Sequence, residues 1–139
     1  MNTRGVHLLC ELSGCNKAAL ADINAVRASL EMAAKAANAT VLNSSFHQFS
    51  LTGISGVLCL AESHISIHTW PECGYAAVDI YTCGDTATPH QGISVLASAL
   101  KAQGTIVREV TRGIESGNDV FTNRDASALL KDPDARLRR

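Results

Sequence analysis

The chain has 139 residues, of which 46% are hydrophobic and 18% charged, and its formal net charge is -1. This length predicts one domain with a buried core, and the near-neutral charge excludes a basic surface for nucleic acid or an anionic membrane. No apolar run reaches the roughly 18 residues of a membrane helix, and the N-terminal apolar stretch is too short for a signal peptide. We therefore expect a cytoplasmic protein without a nucleic-acid or membrane partner. Its five cysteines lack CxxC spacing, which indicates free thiols.

The first half of the chain predicts a strand, a long helix and a strand pair. The short apolar segment from Val6 to Leu12 is typical of a first strand. An alanine-rich stretch from Ala18 to Ala39 repeats apolar residues at helical spacing and predicts a single helix. Thr40 to Phe49 and Ser55 to Ala61 then predict two strands joined by a turn.

The middle of the chain predicts further sheet structure. His64 to Thr69 reads as a short strand that Pro71 ends. Ala76 to Cys83 alternates, so that Val78 and Ile80 share one face. The opposite, more polar face carries Ala77, Asp79, Tyr81 and Cys83.

A second helix and a last strand follow. Thr88 is the expected N-cap and Pro89 the first helical residue, with Gly104 as the C-terminal stop. Thr105 to Val110 predicts the last strand. Apolar periodicity is then lost, and we expect a domain of residues 1–112 followed by a polar, mobile tail of residues 113–139.

The order of these elements, β-α-β-β-β-α-β, predicts an α+β fold. Two related halves would each lay a helix on the same face of a mostly antiparallel sheet, forming a two-layer sandwich. The opposite face would then stay uncovered, and an uncovered apolar face in a small protein usually contacts a second subunit. We therefore expect a homodimer.

The segment from Ala61 to Gly84 concentrates the residues with reactive side chains. It holds two of the five histidines, two of the five cysteines and the only tryptophan. Alternation places His64, Ser66 and His68 on one strand face. The simplest interpretation is a half-buried strand with its polar residues outward.

Two other interpretations of this segment are a metal site and a nucleophilic site. His64 and His68 lie about 13 Å apart along a strand, which is too far to share one zinc ion, so no metal is predicted. Ser63 with His68 and Glu62, or Cys83 with His68, has the composition of a nucleophilic site. Neither nucleophile lies in a G-x-S-x-G turn. The residues alone thus indicate a candidate site without a reaction.

The motif resembles that of a known enzyme family. ESHISIHTWPE from Glu62 to Glu72, GYAAVD from Gly74 to Asp79 and TCG from Thr82 to Gly84 resemble the bacterial and archaeal S-adenosylmethionine decarboxylases. The similarity covers roughly Val6 to Arg112 and includes the segments HLL, GC and NSSFH before the core motif.

This resemblance implies a self-cleaving proenzyme. The Ser63 hydroxyl would attack the Glu62 carbonyl to form an ester, and elimination would leave a β chain of residues 1–62 and an α chain of residues 63–139. Ser63 would become a pyruvoyl group, which replaces pyridoxal phosphate as the electron sink. S-adenosylmethionine would bind it as a Schiff base and lose CO2, yielding decarboxylated S-adenosylmethionine for spermidine biosynthesis.

The resemblance also implies roles for other residues. His68 would move protons during processing, and Ser55 would hydrogen-bond the tetrahedral intermediate. Cys83 would be the general acid that protonates Cα, a role that needs a thiol retaining its proton. The expected substrate contacts, by stacking or cation-π attraction and by hydrogen bonds to ribose, are Phe49, Trp70 and Glu72.

One departure from the family pattern leaves the substrate open. Cys73 stands where a larger side chain is usual, and we expect it to widen the pocket. Relatives with the same pyruvoyl chemistry decarboxylate arginine or ornithine, so these are alternative substrates. A further alternative is an uncleaved α+β binding module without processing, although Ser63, His68 and Cys83 are all present.

Overall fold

Six strands build one antiparallel sheet. The computed structural model describes residues 3–50, 52–61 and 63–114. The strands are β1 Gly5–Ser13, β2 Val41–Gln48, β3 Ile54–Leu60, β4 Ser63–Trp70, β5 Tyr75–Cys83 and β6 Gly104–Arg112. Their order across the sheet is β2-β3-β4-β5-β1-β6, and every neighbouring pair is antiparallel. The helices are α1 Lys17–Leu20, α2 Ile23–Ala36 and α3 Pro89–Ala99.

The core lies between this sheet and the two longer helices. α2 packs on β2 and β3, α3 packs on β1 and β5, and the two helices contact each other. Alternate strand residues face the helices, and burying their apolar side chains stabilises the fold. Fully buried members of this core include Leu8, Leu30, Leu58, Ile65, Ile80 and Leu96. The predicted two-layer α+β sandwich is confirmed.

The single helix predicted for Ala18 to Ala39 is wrong, because the chain forms two helices there. Asp22 interrupts the helix, and its carboxylate accepts hydrogen bonds from the N–H groups of Asn24 and Ala25 at 2.9 and 3.2 Å. An aspartate in this position satisfies the free donors of a new helix start. Apolar periodicity continues across the break and therefore does not reveal it.

Gly104 does not end the second helix. α3 ends at Ala99, and the residue with left-handed backbone is Lys101, at φ 55°. Gly104 instead begins β6, where a Cβ atom would lie 2.4 Å from Ser13 Oγ. A side chain there would therefore displace the Ser13 hydroxyl.

The start of α3 follows the prediction in part. Pro89 is the first helical residue, as expected. The Thr88 side chain makes no capping hydrogen bond, because its hydroxyl donates to the Ala36 carbonyl at 2.7 Å. This contact ties α3 to the end of α2.

The predicted element order also needs correction. Four strands separate α2 from α3, as the four predicted segments require, whereas the summarised order counted only three. A 3-10 turn over Pro71–Cys73 joins β4 to β5. All five cysteines are free, as predicted. Glu62 and residues 115–139, most of the predicted tail, lie outside the described residues. Within the described part, no helix is long and apolar enough to cross a membrane.

The helices leave the other face of the sheet uncovered in the described part of the chain. We call it the open face. Polar residues of β1, β3, β4 and β5 alternate onto it, together with exposed apolar side chains. These apolar side chains are Leu9, Val57, Trp70 and Ile106. The open face is thus mixed in polarity, and the candidate site residues lie mainly on it.

Candidate active site

Ser55 and His68 form a hydrogen-bonded pair on the open face. They are direct neighbours across the β3–β4 ladder, and Ser55 Oγ lies 2.9 Å from His68 Nδ1. Their proximity follows from the antiparallel register, which places residues 13 apart in sequence opposite each other. The two residues expected to assist processing are therefore in contact.

The three expected substrate contacts meet this pair in one cavity. A cavity of about 360 Å³ is lined by Phe49, Trp70, Glu72, Ser55 and His68, among others. Phe49 and Trp70 are both about half exposed, so their rings are accessible to a ligand. Glu72 accepts a hydrogen bond from the Thr52 hydroxyl at 3.4 Å, which leaves a carboxylate oxygen available.

Tyr75 holds Trp70 at the edge of this cavity. The two rings lie 5.2 Å apart, and the Tyr75 hydroxyl donates a hydrogen bond to the Glu11 carboxylate. That hydrogen bond, together with burial and the Glu11 charge, raises the pKa of Tyr75 to about 12. The phenol therefore stays protonated and keeps its donor role.

Ser63 lies at the opposite end of β4. It is the first residue of this strand, and its hydroxyl donates to the Ala61 carbonyl at 3.3 Å. It alternates with His64, so its side chain points to the same side of the sheet as the buried residues Ile65 and Ile67. The expected cleavage partner, Glu62, lies outside the described residues.

Cys83 lies at the end of the adjacent strand β5, at the same end of the sheet as Ser63, but its side chain is on the open face and that of Ser63 is on the buried face. Cys83 is half-buried, and the Tyr81 phenol shares a hydrogen bond with it, which raises the pKa of Tyr81. Its neighbour in β1 is Gly5, where a Cβ would lie 2.6 Å from Tyr81 Cε2 and 3.0 Å from Cys83 Sγ. Gly5 therefore leaves the space that the thiol and the phenol ring occupy.

One chain does not bring Ser63 and His68 together. β4 runs without interruption from Ser63 to Trp70, so five residue steps of about 3.3 Å place them about 16 Å apart, on opposite sheet faces. Trp70 is about 23 Å from Ser63 by the same measure. The expected site residues thus fall into two groups: a serine end with Ser63 and Cys83, and a cavity end with Ser55, His68, Phe49, Trp70 and Glu72.

A cluster of His7, His64 and Asp79 lies near the serine end. The side-chain ligand atoms of these three residues all lie within 4.8 Å of one another. His7 Nε2 is buried and 3.9 Å from Asp79 Oδ1, and it has no hydrogen-bond partner within the described ranges. Burial is the main cause that lowers the pKa of His7, against the opposing effect of Asp79.

Sequence reasoning missed this cluster, Gly5, Tyr81 and the Glu11–Tyr75 pair as parts of the site. Of these residues, Gly5, His7 and Glu11 lie far from the motif in sequence, and only the β1–β5 register brings them to it. The available signal was the presence of two polar residues, His7 and Glu11, on one face of an otherwise apolar first strand. Cys73 is exposed and is not part of the lining of the cavity around Trp70 and Glu72, so the expectation that it widens this pocket finds no support.

Comparison with known proteins gives consistent matches. The family model described as S-adenosylmethionine decarboxylase matches residues 6–113. The S-adenosylmethionine decarboxylase proenzyme of Thermococcus onnurineus is 46% identical over 123 residues, covering 88% of this chain and 87% of that protein. The proenzyme of Thermodesulfovibrio yellowstonii is 47% identical over 116 residues, covering 84% and 86%. The crystal structure of the adenosylmethionine decarboxylase from Aquifex aeolicus superposes with a TM-score of 0.76 at 36% identity, covering 89% of this chain and all of that one.

Proposed function

The chain belongs to the S-adenosylmethionine decarboxylase family, and we propose that it is a self-processing, pyruvoyl-dependent enzyme that decarboxylates S-adenosylmethionine. The observation that carries this proposal is the presence of both groups of site residues on one sheet: Ser63 with Cys83, and Ser55 with His68 beside an aromatic cavity. The product would serve spermidine biosynthesis as an aminopropyl donor.

The surroundings of Ser63 are compatible with cleavage before it. β3 ends at Leu60 and β4 begins at Ser63, so the Glu62–Ser63 bond lies in the connection between two strands. Cleavage there would leave the β3–β4 pairs from Cys59–His64 to Ser55–His68 in place. The new N-terminus of the α chain would remain attached to the sheet through β4, which keeps the converted Ser63 close to Cys83.

The residues at the serine end also fit the chemistry after cleavage. A pyruvoyl group derived from Ser63 would supply the electron sink that decarboxylation at Cα requires. Cys83 would then deliver a proton to Cα; it lies at the same end of the sheet as Ser63, which would have to turn toward the open face after cleavage to meet the thiol. Tyr81 and the space left by Gly5 hold the thiol in position.

The separation of the two groups supports a homodimer with shared sites. If His68 acts on Ser63, it must come from another chain, because about 16 Å separates the two along one strand. A second copy with its open face against the first and its strands reversed would bring the cavity end of one chain over the serine end of the other. Ser63, as the first residue of β4, would then have to turn its side chain toward the open face. Each dimer would then have two composite sites, and a twofold axis relates them.

The cavity end favours S-adenosylmethionine over arginine or ornithine. Phe49 and Trp70 provide two accessible aromatic faces, which suit an adenine ring or a sulfonium cation, and Glu72 provides acceptors for ribose hydroxyls. A simple basic amino acid would leave the aromatic pair without a partner of matching shape.

Intact mass spectrometry tests the processing directly. Purified wild-type protein should give two chains, residues 1–62 and residues 63–139, with the second blocked by a carbonyl in place of the amine. Ser63→Ala should stay full length. A wild-type chain that remains whole and unreactive to carbonyl reagents would leave only the binding-module alternative. Assays of CO2 release from S-adenosylmethionine, arginine and ornithine, run separately, then test the substrate.

A further inference from the structure

We infer that His7, His64 and Asp79 form a binding site for a divalent transition-metal ion such as Zn2+ on the open face of the sheet. The three residues come from adjacent strands: His64 and His7 both pair with Tyr81, and Asp79 is two residues before Tyr81 on β5. The register therefore projects all three side chains to the same place on one face.

The donor atoms are close enough to bind one ion with small side-chain movements. All lie within 4.8 Å of one another, and His7 Nε2 is 3.9 Å from Asp79 Oδ1. Ligands of one zinc, bonded at about 2.0 to 2.2 Å, lie within about 4 Å of each other. Rotation about side-chain bonds closes the remaining gap without moving the strands.

The buried nitrogen of His7 is the strongest sign that a ligand belongs here. A buried polar atom is normally hydrogen-bonded, and His7 Nε2 has no such partner in the part of the chain that is described. Asp79 Oδ1 is too far for a hydrogen bond and close enough to share an ion.

A neighbouring residue orients the carboxylate for this role. The Ser66 hydroxyl donates to Asp79 Oδ2 at 3.3 Å, so that Oδ1 is left to face His7. Such hydrogen bonds to the non-coordinating oxygen are typical of metal sites. Two imidazoles and one carboxylate favour zinc and similar ions over Mg2+ or Ca2+, and they leave a coordination position for water.

The site would oppose substrate binding, an effect that rests on the proposed function. His7 and His64 both pair with Tyr81, two residues before Cys83 on the same face of β5, so a bound divalent cation would lie near the proposed proton donor. S-adenosylmethionine carries a positive sulfonium, and the two positive charges would repel each other. Because coupling between two ligands is reciprocal, substrate would weaken the metal and the metal would weaken the substrate.

Isothermal titration of the whole protein with Zn2+ tests the site itself, with Co2+ absorbance as a second readout of coordination. Ser63→Ala chains serve as the background, so the result does not depend on processing or activity. We expect one ion per chain, a loss of affinity of about 100-fold or more in His7→Gln and Asp79→Asn, and a loss of about tenfold in Ser66→Ala. His90→Gln is the matched control, because His90 lies on α3 and pairs with Glu109 away from the open face.

The possible results separate clearly. Binding that disappears in His7→Gln and Asp79→Asn but persists in His90→Gln supports the site, and if His7→Gln does not fold, Asp79→Asn decides. Absence of Zn2+ binding in the parent chain overturns the proposal. It is equally overturned if the ion is lost in Cys83→Ser and kept in Asp79→Asn, which would assign it to the thiol. A protein that binds zinc but is never cleaved would contradict only the proposed function.

Discussion

Ser55 Oγ lies 2.9 Å from His68 Nδ1, and this contact determines which imidazole nitrogen can act on a substrate or on another chain. With Nδ1 engaged by the hydroxyl, Nε2 is the nitrogen free to exchange protons. The pair faces the open side of the sheet, away from the Ser63 side chain of its own chain. Under the proposed function, His68 would therefore act on a second chain.

Mixing two inactive variants should restore processing. In a heterodimer of Ser63→Ala and His68→Ala chains, one composite site retains both wild-type residues, namely Ser63 of the His68→Ala chain and His68 of the Ser63→Ala chain. Cleavage of the His68→Ala chain should therefore return on co-expression, as measured by intact mass with distinguishable tags. The pair His68→Ala with Ser55→Ala is the control, because neither of its sites has both cavity-end residues intact. Failure of the first mixture, with heterodimers demonstrated, would contradict shared sites.

Replacing the thiol should separate turnover from processing. Cys83→Ser keeps the size of the side chain but provides a much weaker acid, so protonation at Cα should slow. We expect normal cleavage and a kcat lower by about 100-fold or more. Cys59→Ser is the matched control, since Cys59 is an exposed thiol that also lies on the open face, opposite His64. Equal activities of the two variants would remove Cys83 from the mechanism.

A single methyl group at Gly5 should damage the site. In Gly5→Ala the new Cβ would lie 2.6 Å from Tyr81 Cε2 and 3.0 Å from Cys83 Sγ, so both side chains must shift. Displacement of a reacting group by about 1 Å can cost about 100-fold in rate, and we expect a kcat loss of that order. Thermal melting should be recorded alongside, because overpacking also lowers stability by about 1 to 3 kcal/mol. A folded Gly5→Ala protein with wild-type kcat would contradict this account.

The tyrosine titration should reveal the Glu11–Tyr75 contact. The chain has only two tyrosines, and the pKa values of both are raised, that of Tyr75 to about 12. Since the folded-state pKa lies above the ordinary value of about 10, this contact stabilises the protein below pH 10. The stabilisation should be lost as the pH rises from about 10 to about 12.

Phenolate absorbance near 295 nm measures this effect. Glu11→Gln should bring one tyrosine pKa back toward its ordinary value, and KM should rise if Tyr75 then releases Trp70. Glu109→Gln is the control, because Glu109 pairs with His90 and not with a tyrosine. Identical titration curves for wild type and Glu11→Gln would show that the contact is absent in solution.

Local patterns in the sequence were sufficient for most of the secondary structure. Alternation in β5 correctly separated Val78 and Ile80 from Asp79, Tyr81 and Cys83, because strand periodicity depends only on neighbouring residues. The break at Asp22 and the true end of α3 were missed. Helix caps and strand partners depend on single hydrogen bonds that apolar periodicity does not record.

By itself, the sequence determined the family, the two-layer fold and the chemical type of each site residue, because these follow from motif spacing and local pattern. Only the tertiary structure decided which of those residues meet. Sequence spacing ruled out a metal between His64 and His68, whereas the β1–β5 register brings His64 next to His7 and Asp79. The same geometry keeps Ser63 and His68 apart within one chain, although only five positions separate them. Contacts between strands depend on register and sheet face, which distance along the chain does not encode.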